Sequence, residues 1–188
     1  MSPDILKKCM PFATIENCEL YAGPLTGAME EYLIKTPRRQ AAFLAQLAHE
    51  SGSLKYVEEI ASGEAYEGRK DLGNIQPGDG KRFKGRGLIQ ITGRHNYSLL
   101  SKELHYDFIA RPQDLERPGA ASYSAAWFWF YNHLNRLADI DAFEKITRKI
   151  NGGVNGLKDR LEHWERCKKA LGVDEKDIDS PRQLDELP

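Results

Sequence analysis

The sequence predicts a mainly α-helical fold, and three stretches carry that expectation. "TPRRQAAFLAQLAHE" opens on Thr36 and Pro37, an N-cap followed by a first-turn proline, and Gly52 lies just beyond its end. Its apolar stripe includes Phe43, Leu44 and Leu47. "ASYSAAWFWFYNHLNRL", residues 121–137, carries aromatic side chains on more than one side, as a central helix would; Trp127 and Trp129 read as core. "GLKDRLEHWERCKKALG" sets Leu157, Leu161 and Trp164 along one face between Asn155 and Gly172.

Shorter elements fill the intervals. Asp141 is placed to cap "AFEKITRKI", which "NGG" ends, and weaker helical patterns lie near residues 5–10 and 25–33. Residues 62–87, "SGEAYEGRKDLGNIQPGDGKRFKGRG", break the pattern with Gly, Asp, Lys and Arg and almost no periodicity. A structureless connection of that length is usually functional or disordered. "GLIQIT" after it suits either a short strand or the start of a helix. With no repeat and no linker between two cores, one domain is expected over residues 1–173. An acidic tail follows at 174–188, and "VDEKDIDSPRQLDELP" carries six acids and two bases.

Composition narrows the function classes. A chain of 188 residues with 40% hydrophobic and 29% charged content suits one soluble domain with a real core. No run of eighteen apolar residues exists, so no membrane span is expected. The N-terminus, "MSPDILKKCMPF", has no long apolar segment or small-residue cleavage site, so synthesis in the cytoplasm without a signal peptide is expected. A net charge of −1 provides no positive field for nucleic acid. Cys9, Cys18 and Cys167 lack the spacing of a zinc site or a disulfide framework. H-E-x-x-H, G-x-S-x-G and Walker signatures are missing, so zinc-peptidase, serine-hydrolase and nucleotide-binding chemistries are disfavoured. Nothing in the sequence calls for more than a monomer.

Glu50 raises the chemical question. It lies three residues after Leu47 and seven after Phe43, on the apolar stripe of its helix and at that helix's C-terminal end. Desolvation and the negative end of the helix dipole both favour a protonated carboxyl there. Glu59 follows nine residues later, past Gly52, with room for the chain to reverse. In an extended segment Glu58 and Glu59 point to opposite sides, so one of them faces a cleft. Glycoside hydrolysis needs such a pair, one acid to protonate the leaving oxygen and one ionised carboxylate. Surface acids with a helix-end ion pair would give the same spacing.

Four ordered blocks add to this reading. "AHESGSLKYVEE", "FKGRGLIQITGRHNY", "ITRKINGG" and "DRLEHWERCKKALGV" together resemble glycoside hydrolase family 19, most of all its short, loop-poor phage and prophage endolysins. The resemblance runs over about residues 36–173. It implies a lysozyme-like α-helical fold of two lobes around a substrate cleft, with a small β element in one lobe. It also implies an inverting mechanism on β-1,4-linked N-acetylhexosamine polymers, without metal or cofactor. By this resemblance Glu50 is the general acid, Glu59 the general base and Glu58 a bystander. Thr92 holds the attacking water, Gln90 contacts substrate and Asn151 binds sugar amides. Arg160 is the arginine that fixes the charge state of the base, so it is expected beside Glu59. Tyr97 and Asn96 are cleft-floor residues by resemblance, although Tyr97 equally suits the core. Tyr66 and Arg69 line the cleft or stabilise its loop. Ser51 and Ser53 stand where many members have Thr and Gly.

The resulting expectation is an endolysin-type enzyme that cuts the β-1,4 glycan strand of bacterial peptidoglycan and lyses the host cell. It would be made in the host cytoplasm and reach the wall once the membrane is breached. The alternative substrate is chitin. The short chain, without a recognisable chitin-binding module or secretion signal, favours peptidoglycan.

Overall fold

Thr36 caps its helix as the sequence predicts: its side chain accepts a hydrogen bond from the Arg39 amide at 3.2 Å, and Pro37 fills the first turn. The structure, a computed structural model, describes residues 1–173. The expected acidic tail at 174–188 lies outside the described residues. The helices are α1 (Pro3–Cys9), α2 (Ile15–Glu31), α3 (Pro37–Glu50), α4 (Asp79–Arg82), α5 (Arg94–Glu103), α6 (Pro118–Tyr131), α7 (Leu134–Asp139), α8 (Phe143–Asn151) and α9 (Leu157–Leu171). None of them is long and apolar enough to cross a membrane.

Residues 41–48 of α3 are buried on every side, so this helix is the axis of the first lobe. α9 packs along it, α1 joins α9, and α2 rests on α6. Phe43 meets Trp129 edge-on, 5.3 Å between ring centroids, and Trp127 is also buried, as the sequence predicts for both tryptophans. The expected helix over 121–137 is two helices. His133 takes a left-handed backbone (φ 58°) between α6 and α7. Asn135 secures the corner by accepting from Trp129 Nε1 and donating to the Tyr32 carbonyl.

α9 also differs from its expected face. Leu161 is exposed and Leu157 and Trp164 are half-buried, whereas Arg160, His163 and Cys167 are fully buried. A polar face can be turned inward because its groups find partners there. Asp141 does not cap α8: it lies in a left-handed bend two residues earlier and pairs with Arg38 at 2.7 Å.

Residues 54–104, with α4 and α5, form the second lobe. Polar bonds order its irregular segment. Asn74 donates to the Tyr66 carbonyl and accepts from the Arg94 amide. Asp79 accepts two bonds from Arg94, and Glu67 accepts the amides of Gly78 and Gly80. The small β element is reduced to two isolated antiparallel bridges, Glu58 with Arg86 and Arg86 with Ile91; no strand forms among the described residues. "GLIQIT" is thus neither strand nor helix. Gly87 and Gln90 both take positive φ, and the tight turn between Arg86 and Ile91 leaves no length for a ladder.

Candidate active site

Glu50 is the last residue of α3, part-buried at the point where the chain leaves the first lobe. Its Oε1 accepts a hydrogen bond from Arg160 Nη2 at 2.6 Å. Arg160 is 0% exposed, and its other donors are also spoken for: Nη1 bonds Gln46 Oε1 at 2.5 Å and Nε bonds the Asn155 carbonyl at 3.2 Å. Gln46, itself fully buried, donates in turn to Thr147 Oγ1 at 2.8 Å. The expected position of Arg160 beside Glu59 is therefore wrong. α9 packs against α3, and an i, i+4 step along α3 sets Gln46 and Glu50 on one face, where a planar guanidinium reaches both. The apolar stripe of α3 thus turns Glu50 toward a buried cation as well as toward the core. A carboxylic acid still accepts through one oxygen when the other carries its proton, so this pairing is compatible with donation from Oε2.

Glu59 is held by a different set of partners. Tyr66 Oη donates to Oε1 at 2.8 Å and the Gly85 amide donates to Oε2 at 3.1 Å. Burial, followed by the hydrogen bond and charge of Glu59, pushes the Tyr66 phenol up, so it remains a neutral donor. Glu58 points away: its carboxylate pairs with Lys84 at 3.1 Å and Arg86 at 3.4 Å, consistent with an extended backbone that alternates sides. The segment after Phe83 closes the site from below. A β-carbon built on Gly85 would stand 2.8 Å from Gln90 Oε1, 3.2 Å from Glu59 Oε2 and 3.3 Å from Thr92 Oγ1. Three oxygen-bearing side chains therefore converge on one small space that only a glycine leaves open. Gln90 reaches it from a left-handed backbone (φ 59°), a conformation that side-chain-bearing residues adopt rarely and often at functional sites. Thr92 donates to the Gln90 carbonyl at 2.9 Å, and Asn96 donates to the Thr92 carbonyl at 2.8 Å.

The remaining residues divide. Tyr66 belongs to the site through Glu59. Arg69 is exposed and ion-paired with Asp71, three residues beyond Tyr66. Asn151 is exposed at the end of α8, with no bond to either glutamate among the described residues; its helix reaches the site through Thr147 and Gln46. Tyr97 is not on the cleft floor. It is 0% exposed, packs against Phe83, donates to the Lys84 carbonyl and accepts from Arg86. Burial pushes its phenol up to about 12.

Sequence reasoning missed Gln46, Thr147, Asn74 and Asp79. Gln46 alone left a signal, an amide in the middle of an apolar run and one turn before Glu50. No group of three or more His, Cys, Asp or Glu side chains among the described residues is arranged to hold a metal ion. The polar groups that converge here suit proton transfer and water positioning.

No family model matches the chain. It is 34% identical to a glycosyl hydrolase family 19 domain-containing protein of Haemophilus influenzae, over 74% of this chain and 81% of that protein. An endochitinase of Arabidopsis thaliana is 42% identical over 72% of this chain, which spans about half (49%) of that enzyme's length. Among solved structures, a bacterial family 19 chitinase superposes with a TM-score of 0.75 at 22% identity, covering 92% of this chain and 95% of that one. Chitinase C from Streptomyces griseus superposes with a TM-score of 0.72 at 23% identity, over 91% of this chain and 76% of that one. The fold is that of these enzymes, and the Haemophilus relative supplies the lineage: the chain belongs to glycosyl hydrolase family 19 and is a glycoside hydrolase.

Proposed function

We propose that this enzyme cleaves the β-1,4 glycan strand of bacterial peptidoglycan with inversion, as an endolysin. The observation that supports the chemistry is the unlike holding of two carboxyl groups. Glu50 is fixed through one oxygen by Arg160, leaving the other for the glycosidic oxygen. Glu59 accepts hydrogen bonds at both oxygens beside Thr92 and Gln90. In the forward step Glu50 protonates the leaving oxygen. Glu59 takes a proton from a water held by Thr92, and that water attacks the anomeric carbon from the opposite ring face. The substrate reading is supported by the shortness of the link between the two glutamates, nine residues, which leaves little chain to crowd the groove between them. A strand bearing lactyl ethers and peptide stems needs an open groove. Synthesis in the host cytoplasm and release to the wall after membrane breach would complete this role.

Chitin is the second reading, favoured because the Arabidopsis relative is named an endochitinase. Turbidity loss in outer-membrane-permeabilised Gram-negative cells, measured beside cleavage of soluble N-acetylglucosamine hexamer, separates the two. Lysis well above hexamer cleavage is expected. Hexamer cleavage without lysis would make the enzyme a chitinase, and activity on neither would remove both readings. The first-formed reducing end, followed by NMR, should be the α-anomer; initial β-product would overturn the inverting mechanism.

A further inference from the structure

Gln46 is a fully buried amide in α3, and every polar atom of its side chain is used in a connection between helices. Its Oε1 accepts from Arg160 on α9, and its Nε2 donates to Thr147 on α8. A guanidinium is donor-only, which fixes the amide orientation without ambiguity. Glu50 lies one turn after Gln46 on α3, and Asn151 lies one turn after Thr147 on α8. From these connections we propose that Gln46 is a positioning residue, one that sets the Glu50 carboxyl against the Asn151 end of α8 through Arg160 and Thr147.

The physics gives Gln46 two tasks. The first is geometric. Arg160 has no solvent to turn to, and a donor left unpaired in the core costs more than a bond contributes, so the guanidinium is locked in the plane that meets Glu50. The second is electrostatic. A neutral acceptor on Nη1 leaves Glu50 as the only carboxylate on this guanidinium among the described residues. A second acid there would draw part of that charge away. Thr147 completes the device by tying the Asn151 helix to the same amide, so a sugar amide bound at one end and a proton donated at the other keep one register. This inference rests on Glu50 being the acid.

Three variants in the full chain test it, assayed on permeabilised cells and on N-acetylglucosamine hexamer, with thermal melts for each. Gln46→Met keeps volume but removes both bonds. Its kcat should fall about 10–100-fold, the scale for losing a partner that orients an active group, with KM within about threefold. Gln46→Glu keeps shape and acceptor but competes for Arg160. It should keep more kcat than Gln46→Met and move the alkaline limb of the pH–rate profile upward, because a second carboxylate draws part of the guanidinium's charge away from Glu50. Thr147→Val, nearly isosteric, should show a smaller kcat loss of the same kind, which keeps the test open if a buried glutamate prevents folding. Lowered melting temperatures with unchanged kcat and an unmoved alkaline limb would reduce Gln46 to a packing residue and overturn the inference. Glu50→Gln, run beside them, separates the two failures. If it is inactive while the Gln46 and Thr147 variants match wild type, the inference alone fails. If it retains activity, the acid assignment fails and the inference with it.

Discussion

Arg160 Nη2 stands 2.6 Å from Glu50 Oε1, although 110 residues separate them in the chain. The contact joins the last residue of α3 to the buried face of α9, and it pairs the site's buried cation with Glu50. On the proposed mechanism Arg160→Ala should therefore act on the alkaline limb of the pH–rate profile, moving it upward, because the cation beside the Glu50 carboxyl is removed. On the same mechanism the acidic limb should stay in place. Breaking a buried pair of this kind costs about 3–5 kcal/mol of stability, so melts accompany the kinetics. Arg160→Lys should recover part of the activity, since the charge survives but the planar fork that meets Gln46, Glu50 and the Asn155 carbonyl does not. A shift of the acidic limb alone would return Arg160 to Glu59.

Much of the fold was readable because it is local. Thr36, Pro37 and Gly52 mark the ends of α3, and capping chemistry needs only a few neighbouring residues. The four blocks around Glu50, Thr92, Asn151 and Arg160 identified the family. The partner of Arg160 was not readable, because the apolar stripe of α9 pointed to Leu161 and Trp164, while the buried face is built from Arg160, His163 and Cys167. Periodicity counts apolar residues and is blind to a polar face whose groups are all bonded. Tyr97 had two readings for a similar reason: a phenol suits a cleft or a core, and only its bonds to Lys84 and Arg86 decide. The irregular segment gave no periodic signal because Asn74, Asp79 and Glu67 hold it through bonds to backbone amides and Arg94, contacts that no sequence period encodes.

Tyr66 and Thr92 should behave as a pair around Glu59. Tyr66→Phe removes the donor to Oε1 and frees the carboxylate to turn; Thr92→Val removes the hydroxyl beside Oε2 while keeping its shape. Each should lower kcat about 10–100-fold with little change in melting temperature. Glu58→Gln is the control. It loses only half-exposed ion pairs with Lys84 and Arg86, worth at most about 1 kcal/mol, and activity should stay within about twofold. A larger loss at Glu58 than at Thr92 would reassign the base.

Asp79 links the second lobe to acid stability. It is 1% exposed, and its bonds from Arg94 at 2.6 and 2.8 Å hold its carboxyl below the ordinary aspartate value, against the opposing effect of burial. A lowered folded-state value stabilises the native protein fully above the unfolded value near about 4 and loses that contribution as pH falls through the folded one. Asp79→Asn should cost about 3 kcal/mol at neutral pH, because Arg94 is left without its carboxylate. The gap in melting temperature between variant and wild type should be constant from about pH 5 to 7 and shrink below about pH 4. A gap that persists unchanged to pH 2 would show that the loss is one of packing.

Gly85 gives the sharpest test of where the reacting water sits. Its backbone lies outside the left-handed region, so alanine meets no conformational penalty there. What it meets is the site: a β-carbon 2.8 Å from Gln90 Oε1, 3.2 Å from Glu59 Oε2 and 3.3 Å from Thr92 Oγ1. The closest of these atoms is the far end of the flexible Gln90 side chain, which can swing aside, so Gly85→Ala should fold and melt within a few degrees of wild type. The methyl group would still occupy the space beside Glu59 and Thr92 that a nucleophilic water needs. A displacement of about 1 Å at a reacting atom is worth about 10²-fold in rate, and kcat should fall by at least that much. Binding of N-acetylglucosamine hexamer, read by calorimetry, loses at most the Gln90 contact and should weaken by less than about tenfold. Wild-type kcat in a folded Gly85→Ala enzyme would place the attacking water away from Glu59 and Thr92 and leave Thr92 without its assigned role.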